Sequence, residues 1–345
     1  MKKQRILTGH RPTGPRHIGH LVGTLETWAK LQDSYECFFL VADLHVLTTN
    51  YRPEHLQDNI LNMLADWLAA GIDPNRATIV LQSIIPEHAQ LSLLLGMLTT
   101  VARLERVPTY KDQARELHLQ PSAGLLTYPV LQAADILLYK AKVVPVGEDQ
   151  LPHIELAREL ARRFNQTFER TFPEPRALLS DAPRLPGTDN RTMHTSYGNA
   201  IFLKDTPEET TRKVMSMYTD PTRIHPDDPG HVDGNPVFAL LDVCHTDKTE
   251  LSDLKTRYQT GKIGDVVVKG LLAKSLNTYL TPLRARRAEL YAQPKMLMEI
   301  LYSGTVKAKF EAQQTLEEVY EKMGLLHSQS ITEKALAQDI VGVFC

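Results

Sequence analysis

The sequence predicts an α/β fold, a parallel sheet covered by helices, joined to an all-helical C-terminal domain. Two observations carry this reading. Short apolar runs alternate with helix-period patterns as far as Asn165, the rhythm of a parallel sheet buried on both faces. From Pro207 the pattern is helical to about Leu326, interrupted over residues 226–235 and near Pro294.

Residues 5–8 read as the first strand and residues 21–31 as the helix after it. Residues 36–42 form an unbroken apolar run, the mark of a buried strand. A helix is predicted over residues 53–70: Pro53 suits its first turn, Leu56, Ile60, Leu64 and Trp67 share one face, and Gly71 suits its end. Strands follow at residues 77–82 and 143–147, and helices at 86–106, 127–140 and 150–165. Residues 166–199, rich in Pro, Gly and polar side chains, read as a long mobile linker. The resulting division is a sheet domain over 1–203 with a mobile loop at about 187–199, and a helical domain over 204–327 whose last helices have the option of packing back on the sheet. The tail, 328–345, is either a short amphipathic helix or loosely ordered.

A chain of 345 residues with 42% hydrophobic side chains has ample material for a core and for two domains. No apolar run nears the ~20 residues of a membrane span, so no membrane contact is expected. Lys2, Lys3 and Arg5 are not followed by the apolar stretch of a signal peptide. Cys37, Cys244 and Cys345 stand far apart with no CxxC pair, which points to a reducing, cytoplasmic setting and to no protein-held metal. The net charge of −2 argues against a generic nucleic-acid binder, yet a local basic face still binds phosphates. Arg284, Arg286, Arg287, Lys295, Lys307 and Lys309 are either such a face or a solvated helix surface.

Ligands of parallel sheets sit beyond the carboxyl ends of the strands. The unusual residues cluster there: 9–20 after the first strand, 43–45 after the second, 147–150 after the fourth. In the first of these, Gly9, His10, Arg11, Pro12, Thr13 and Gly14 lead into His17, Ile18, Gly19 and His20 at a helix start. Glycines let backbone approach a phosphate, a helix start offers free N–H groups, and the two histidines add donors. The spacing fits neither GxGxxG nor GxxxxGK[ST]. A glycine-rich turn with two surface histidines is the plain alternative. Asp135 lies in an apolar helix beside Ala134 and Ile136, where a carboxylate needs a donor. The N–H of an indole is a pure donor and suits it, as does a neighbouring backbone group or Arg.

His17-Ile18-Gly19-His20 is the literal HIGH sequence of class I aminoacyl-tRNA synthetases, placed after the first strand. Residues 125–136 (LLTYPVLQAADI) and 144–156 (VPVGEDQLPHIEL) closely resemble the tryptophanyl-tRNA synthetase family, and resemble tyrosyl enzymes less well. The resemblance covers nearly the whole chain. It implies a Rossmann-type catalytic domain, a helical domain that reads the tRNA anticodon, and a homodimer. It further implies a tryptophan–tRNA ligase that uses ATP with Mg2+ as substrate, tryptophan and tRNA(Trp), with no tightly bound cofactor. Asp135 matches the residue that binds the indole nitrogen. Tyr128 and Gln150 match residues on the amino-acid head group, and Leu7, Gly9, His45, Gln132, Ile136 and Val144 complete the tryptophan pocket. Gly9, Arg11, Thr13, Gly19, His20, Gly147, Asp149, Gln150 and Met193 match the ATP side, with His17 and His20 catalytic. Arg11 and Gln132 depart from the commoner Gln and Met at those positions.

The largest departure lies in the second family motif, KMSKS. The matching residues are Thr192, Met193, His194, Thr195 and Ser196, framed by the Gly198-Asn199-Ala200-Ile201 that follows. Both lysines are missing. A preorganised cation facing developing charge is typically worth ~3–4 kcal/mol, roughly a hundred- to a thousandfold in rate. Arg191 just ahead either substitutes or is merely solvated, and a protonated His194 is a second candidate. Thr192, Thr195 and Arg191 therefore join the catalytic candidates. The missing lysines also favour an alternative, an auxiliary paralogue with weak or no ligase activity that binds tryptophan or its adenylate for regulation or for a partner protein. A tyrosine-specific relative is the third reading.

Overall fold

The computed structural model describes residues 3–50, 52–108, 110, 122–180, 182–225 and 227–326, with Ser196 as backbone only. The predicted tail and Pro226 lie outside the described residues. Five parallel strands form one sheet: β1 (Arg5–His10), β2 (Glu36–Val41), β3 (Ala77–Leu81), β4 (Val143–Val146) and β5 (Arg176–Leu179), in the order β3-β2-β1-β4-β5. The chain runs outward from β1 to β3, then returns to the other side of β1. The carboxyl ends of β1 and β4 therefore flank a switch point, where such sheets bind ligands. Gly9 sits there in register with Leu40, and a Cβ on it would lie 2.2 Å from the Leu40 carbonyl oxygen. Only glycine fits.

The HIGH residues open a helix in three parts: α1 (Ile18–His20), a π-helical stretch (Leu21–Leu25) and α2 (Glu26–Leu31). Thr24 Oγ1 donates to the His20 carbonyl at 2.7 Å, within the wider π turn. Helix α3 (Leu56–Ala69) starts later than Pro53 predicts, because His55 takes a left-handed conformation, φ 59°. Gly71, φ 106°, ends it as expected. The single helix predicted over 86–106 is two, α4 (Glu87–Gly96) and α5 (Val101–Leu104); Thr100 caps the second by accepting from the Arg103 N–H at 3.2 Å. Helix α6 (Ala123–Leu138) begins earlier than predicted, capped by Ser122 Oγ on the Leu125 N–H, with Pro129 in its interior. Helix α7 (Leu151–Thr167) follows β4.

The stretch read as a linker is a correction. It supplies β5, paired with β4 from Arg176 to Leu179, and then a turn closed by an antiparallel bridge between Pro186 and Thr192. Four residues with mixed burial carry too little periodicity to announce a strand. After it come α8 (Pro207–Met215), α9 (Pro236–Cys244), α10 (Lys248–Gln259), α11 (Asp265–Tyr291) and α12 (Pro294–Met323). Helices α8 to α11 enclose an apolar core around Phe238, Leu241, Tyr258 and Leu276 that also takes in Ile18, Val22, Met193 and Ile201. Helix α12 instead returns to the sheet: Ala308, Ala312, Leu316 and Val319 join the core under β3. Gly304 lies against the backbone of Ile79, and Thr305 Oγ1 accepts from the Leu81 N–H at 3.0 Å. The exposed edge of β3 is thereby covered.

Candidate active site

A cavity of about 940 Å³ opens at the switch point. Every residue that the sequence assigns to tryptophan or ATP lines it, from Leu7, Gly9, Arg11, Thr13, His17, Gly19 and His20 through His45, Tyr128, Gln132, Asp135, Ile136 and Val144 to Gly147, Asp149, Gln150 and Met193. Thr192 and Thr195 line it too. Arg191 does not. Its guanidinium pairs with Asp189 at 2.6 Å, lies 5.6 Å from the Tyr197 ring centroid and is largely exposed, so the cation nearest the missing lysines is turned away.

At the deep end Asp135, 2% exposed, gathers an almost complete set of donors. His45 Nε2 donates to Oδ2 at 2.9 Å, His88 Nδ1 to Oδ1 at 2.6 Å, and Gln82 Nε2 reaches both oxygens at 2.8 and 2.9 Å. The Leu44 N–H donates to Gln82 Oε1, which fixes the amide's orientation. His88 Nε2 in turn accepts from the Tyr139 hydroxyl at 2.8 Å. Burial would push the Asp135 carboxyl up, but the hydrogen bonds from His45 and His88 outweigh it and hold it well below the usual carboxylate range. It is an ionised acceptor on a wall otherwise lined by Leu7, Leu40, Ile136 and Val144.

Midway, polar groups form a rim. Tyr128 OH lies 3.4 Å from His153 Nε2, and Gln132 Nε2 donates to Gln150 Oε1 at 3.3 Å. Burial takes His153 down to about 4. At the far end the glycine loop packs under the segment around Thr195, whose Cγ2 would lie 3.1 Å from a Cβ on Gly14. The two family motifs are stitched together: Ile18 N–H donates to Ile201 O and Leu203 N–H to Arg16 O. Asn199 braces the loop, donating to Thr192 O and Asp189 Oδ1 and accepting from the His194 N–H.

Arg16 is buried, donating to the carbonyls of Arg11 and Gly14, while its backbone N–H meets Asp66 Oδ2 at 2.9 Å. Its charge shapes the histidines. Burial, with Arg16 and His194 nearby, takes His17 down to about 3, and burial and Arg16 hold His20 well below the usual range. Both imidazoles are neutral at pH 7. The His17 backbone N–H donates to His20 Nδ1, which leaves Nε2–H of His20 as a donor. His17 Nδ1 and Arg16 Nε are buried without a hydrogen-bond partner among the described residues. A histidine pKa depressed on folding stabilises the protein above the unfolded value of 6.5 and loses that contribution as pH falls toward 3. Stability measured by urea unfolding should therefore decline through that acid window, and His17→Gln should flatten the decline.

Sequence reasoning missed several participants. His10 stacks on Trp28 at 4.5 Å and accepts from Trp67 Nε1, and both His10 and Trp28 line the cavity. Gln82 and His88 carried no signal, since their only mark is proximity to Asp135 across 53 and 47 residues. Arg16 and Arg184 also line the cavity. Among the described residues no group of three or more metal-ligating side chains occurs, and no helix is long and apolar enough to cross a membrane.

Comparison with known proteins gives the family and the fold. The family model for class I tRNA synthetases (W and Y) matches residues 1–281. The tryptophan–tRNA ligase of Treponema pallidum is 49% identical over 326 residues, spanning 93% of this chain and 97% of that protein. The crystal structure of Campylobacter jejuni tryptophanyl-tRNA synthetase complexed with ADP and tryptophan superposes with a TM-score of 0.84 at 34% identity, covering 93% of this chain and all of that one. The tyrosyl-tRNA synthetase of Archaeoglobus fulgidus complexed with L-tyrosine is more distant, with a TM-score of 0.65 at 26% identity over 83% of this chain and 90% of that one.

Proposed function

The chain belongs to the class I tRNA synthetases of the tryptophan and tyrosine family, and we propose that it is a tryptophan–tRNA ligase. The observation that carries this is the single cavity that joins a buried, ionised Asp135 in an apolar slot to a glycine and histidine loop at a helix start. The indole N–H of tryptophan donates to Asp135, while Tyr128, Gln132 and Gln150 orient the ammonium and carboxylate. ATP, carrying its Mg2+ as part of the substrate, lies along the glycine loop, where backbone N–H groups and His20 Nε2–H face the phosphates. The tryptophan carboxylate attacks the α-phosphorus, the bond to the bridging oxygen breaks, and pyrophosphate departs with the electron pair. The terminal ribose hydroxyl of tRNA then displaces AMP. No side-chain nucleophile is needed; the protein positions the reactants and stabilises charge.

Tryptophan-dependent exchange of pyrophosphate into ATP tests this with the purified chain, followed by charging of tRNA(Trp). A chain that binds tryptophan yet supports no exchange would return the reading to the auxiliary paralogue. Competition with tyrosine addresses the third reading. His20→Ala should slow exchange by about a hundredfold and leave tryptophan affinity unchanged, since it removes a donor to phosphate alone; an unaltered rate would take His20 out of the mechanism.

The same reading assigns residues 1–203 to catalysis, 204–327 to the anticodon, and the enzyme to the cytoplasm beside its tRNA. It also implies a homodimer. Leu93, Met97 and Val101 form an exposed apolar face on α4 and α5 that a second copy would cover. Sedimentation of the chain and of Met97→Glu checks this, with a monomeric wild type as the contrary result.

A further inference from the structure

The activation step sheds a pyrophosphate, and the charge that grows on it needs a cation already in place. Among the described residues no lysine lines the cavity; its permanent cations are Arg11, Arg16 and Arg184. Arg16 is buried, with its terminal nitrogen held by two carbonyls, and Arg11 lies beside Tyr128, on the amino-acid side of the cavity. His17 and His20 are neutral, Thr192 and Thr195 carry no charge, and Arg191 faces Asp189 outside the cavity.

Arg184 is different. Its side chain lines the cavity, is 72% exposed and meets Asp149, which follows β4, at 3.3 Å. Asp149 Oδ2 is also held, by Gln150 Nε2 at 2.8 Å. An exposed ion pair of this length is weak and readily exchanged for a stronger anion. The location is also telling. The antiparallel bridge between Pro186 and Thr192 joins the two arms of the turn, and Arg184 lies two residues before it, on the arm that faces the one without its lysines. The charge absent from one arm of the turn is present on the other.

We propose that Arg184 is a catalytic residue of this enzyme, the guanidinium that binds the β- and γ-phosphates and follows the leaving pyrophosphate, with Asp149 holding it until ATP arrives. The inference rests on the ligase reading above. It requires no proton transfer: as the bond between the α-phosphorus and the bridging oxygen breaks, the guanidinium donates N–H bonds to the oxygens that gain charge, and it stays paired with the pyrophosphate until that product departs.

The test is steady-state exchange kinetics on the full chain, with direct binding of pyrophosphate, AMP and tryptophan. Arg184→Ala should lower kcat roughly a hundredfold and weaken pyrophosphate binding, while AMP and tryptophan affinities stay within about twofold. Arg184→Lys should recover part of the rate. Thr192→Lys placed in the Arg184→Ala background should recover most of it, because it returns a cation to the facing arm. A merely structural role would instead lower tryptophan and AMP affinity together, and no added lysine would rescue it. An active wild type whose Arg184→Ala variant keeps kcat and pyrophosphate affinity overturns the proposal. A wild type with no exchange overturns the ligase reading, and this inference with it.

Discussion

Asp135→Ala is expected to weaken tryptophan binding at least tenfold and to lower the stability of the empty protein. Two separate losses produce this. The indole N–H enters a desolvated slot and needs an acceptor there, and a hydrogen bond to a charged group is worth ~1.5–3 kcal/mol. The second loss does not depend on substrate. Without the carboxylate, Gln82 Nε2, His45 Nε2 and His88 Nδ1 point into a buried hole, each having lost its acceptor. ATP lies at the other end of the cavity, so its affinity should change little. Titration calorimetry with each substrate, beside a thermal unfolding scan, separates the effects. Should Asp135→Ala fail to fold, Asp135→Asn keeps the shape and one carbonyl oxygen while removing the charge, and its tryptophan affinity decides the matter. A folded variant with wild-type tryptophan affinity would exclude Asp135 from indole recognition and leave it as the hub of a structural network.

That network shows where the sequence was legible and where it was not. Strands β2, β3 and β4 announce themselves as short apolar runs bounded by turn residues, which is what burial on both faces demands, and β1 shows a shorter buried stretch just before the glycine loop. The site residues that lie beside the strand ends, such as Gly9, His45 and Gly147, were visible for the same reason: the switch point dictates their place. The family motifs supplied the rest of the cavity wall. Strand β5 escaped because four residues on a half-exposed edge carry no period. Gln82 and His88 escaped because a glutamine at a strand end and a histidine on a helix look like surface residues until the fold closes them on Asp135. Arg191 shows the opposite failure. Its position in the chain recommends it, but Asp189, two residues before it, captures the guanidinium. Proximity in sequence does not settle which way a flexible cation turns.

Restoring the motif lysines at Thr192 and Thr195 is expected to raise the rate of tryptophan activation, each by ~1–3 kcal/mol of transition-state stabilisation and less where solvent and salt screen the loop. Both threonines line the cavity, so a longer amine at either position enters it without rebuilding the loop. The backbone that would carry them is already fixed, since Asn199 Nδ2 holds the Thr192 carbonyl at 3.0 Å and Asn199 Oδ1 holds the His194 N–H at 3.0 Å. A lysine there meets charge that grows as pyrophosphate leaves, so the gain belongs to kcat and not to the ATP KM. Arg191→Ala forms the paired measurement. Its guanidinium is exposed and bound to Asp189, so its removal should alter the rate by no more than about threefold, the range of a surface pair. A severe Arg191→Ala defect together with silent lysines would mean that Arg191 leaves Asp189 and reaches the triphosphate during the reaction. Silent lysines together with a silent Arg191→Ala would remove this loop from activation and favour the auxiliary, non-ligating paralogue. The expected pairing, faster with lysine and indifferent to Arg191, would establish that the loop retains its catalytic position after losing its charge.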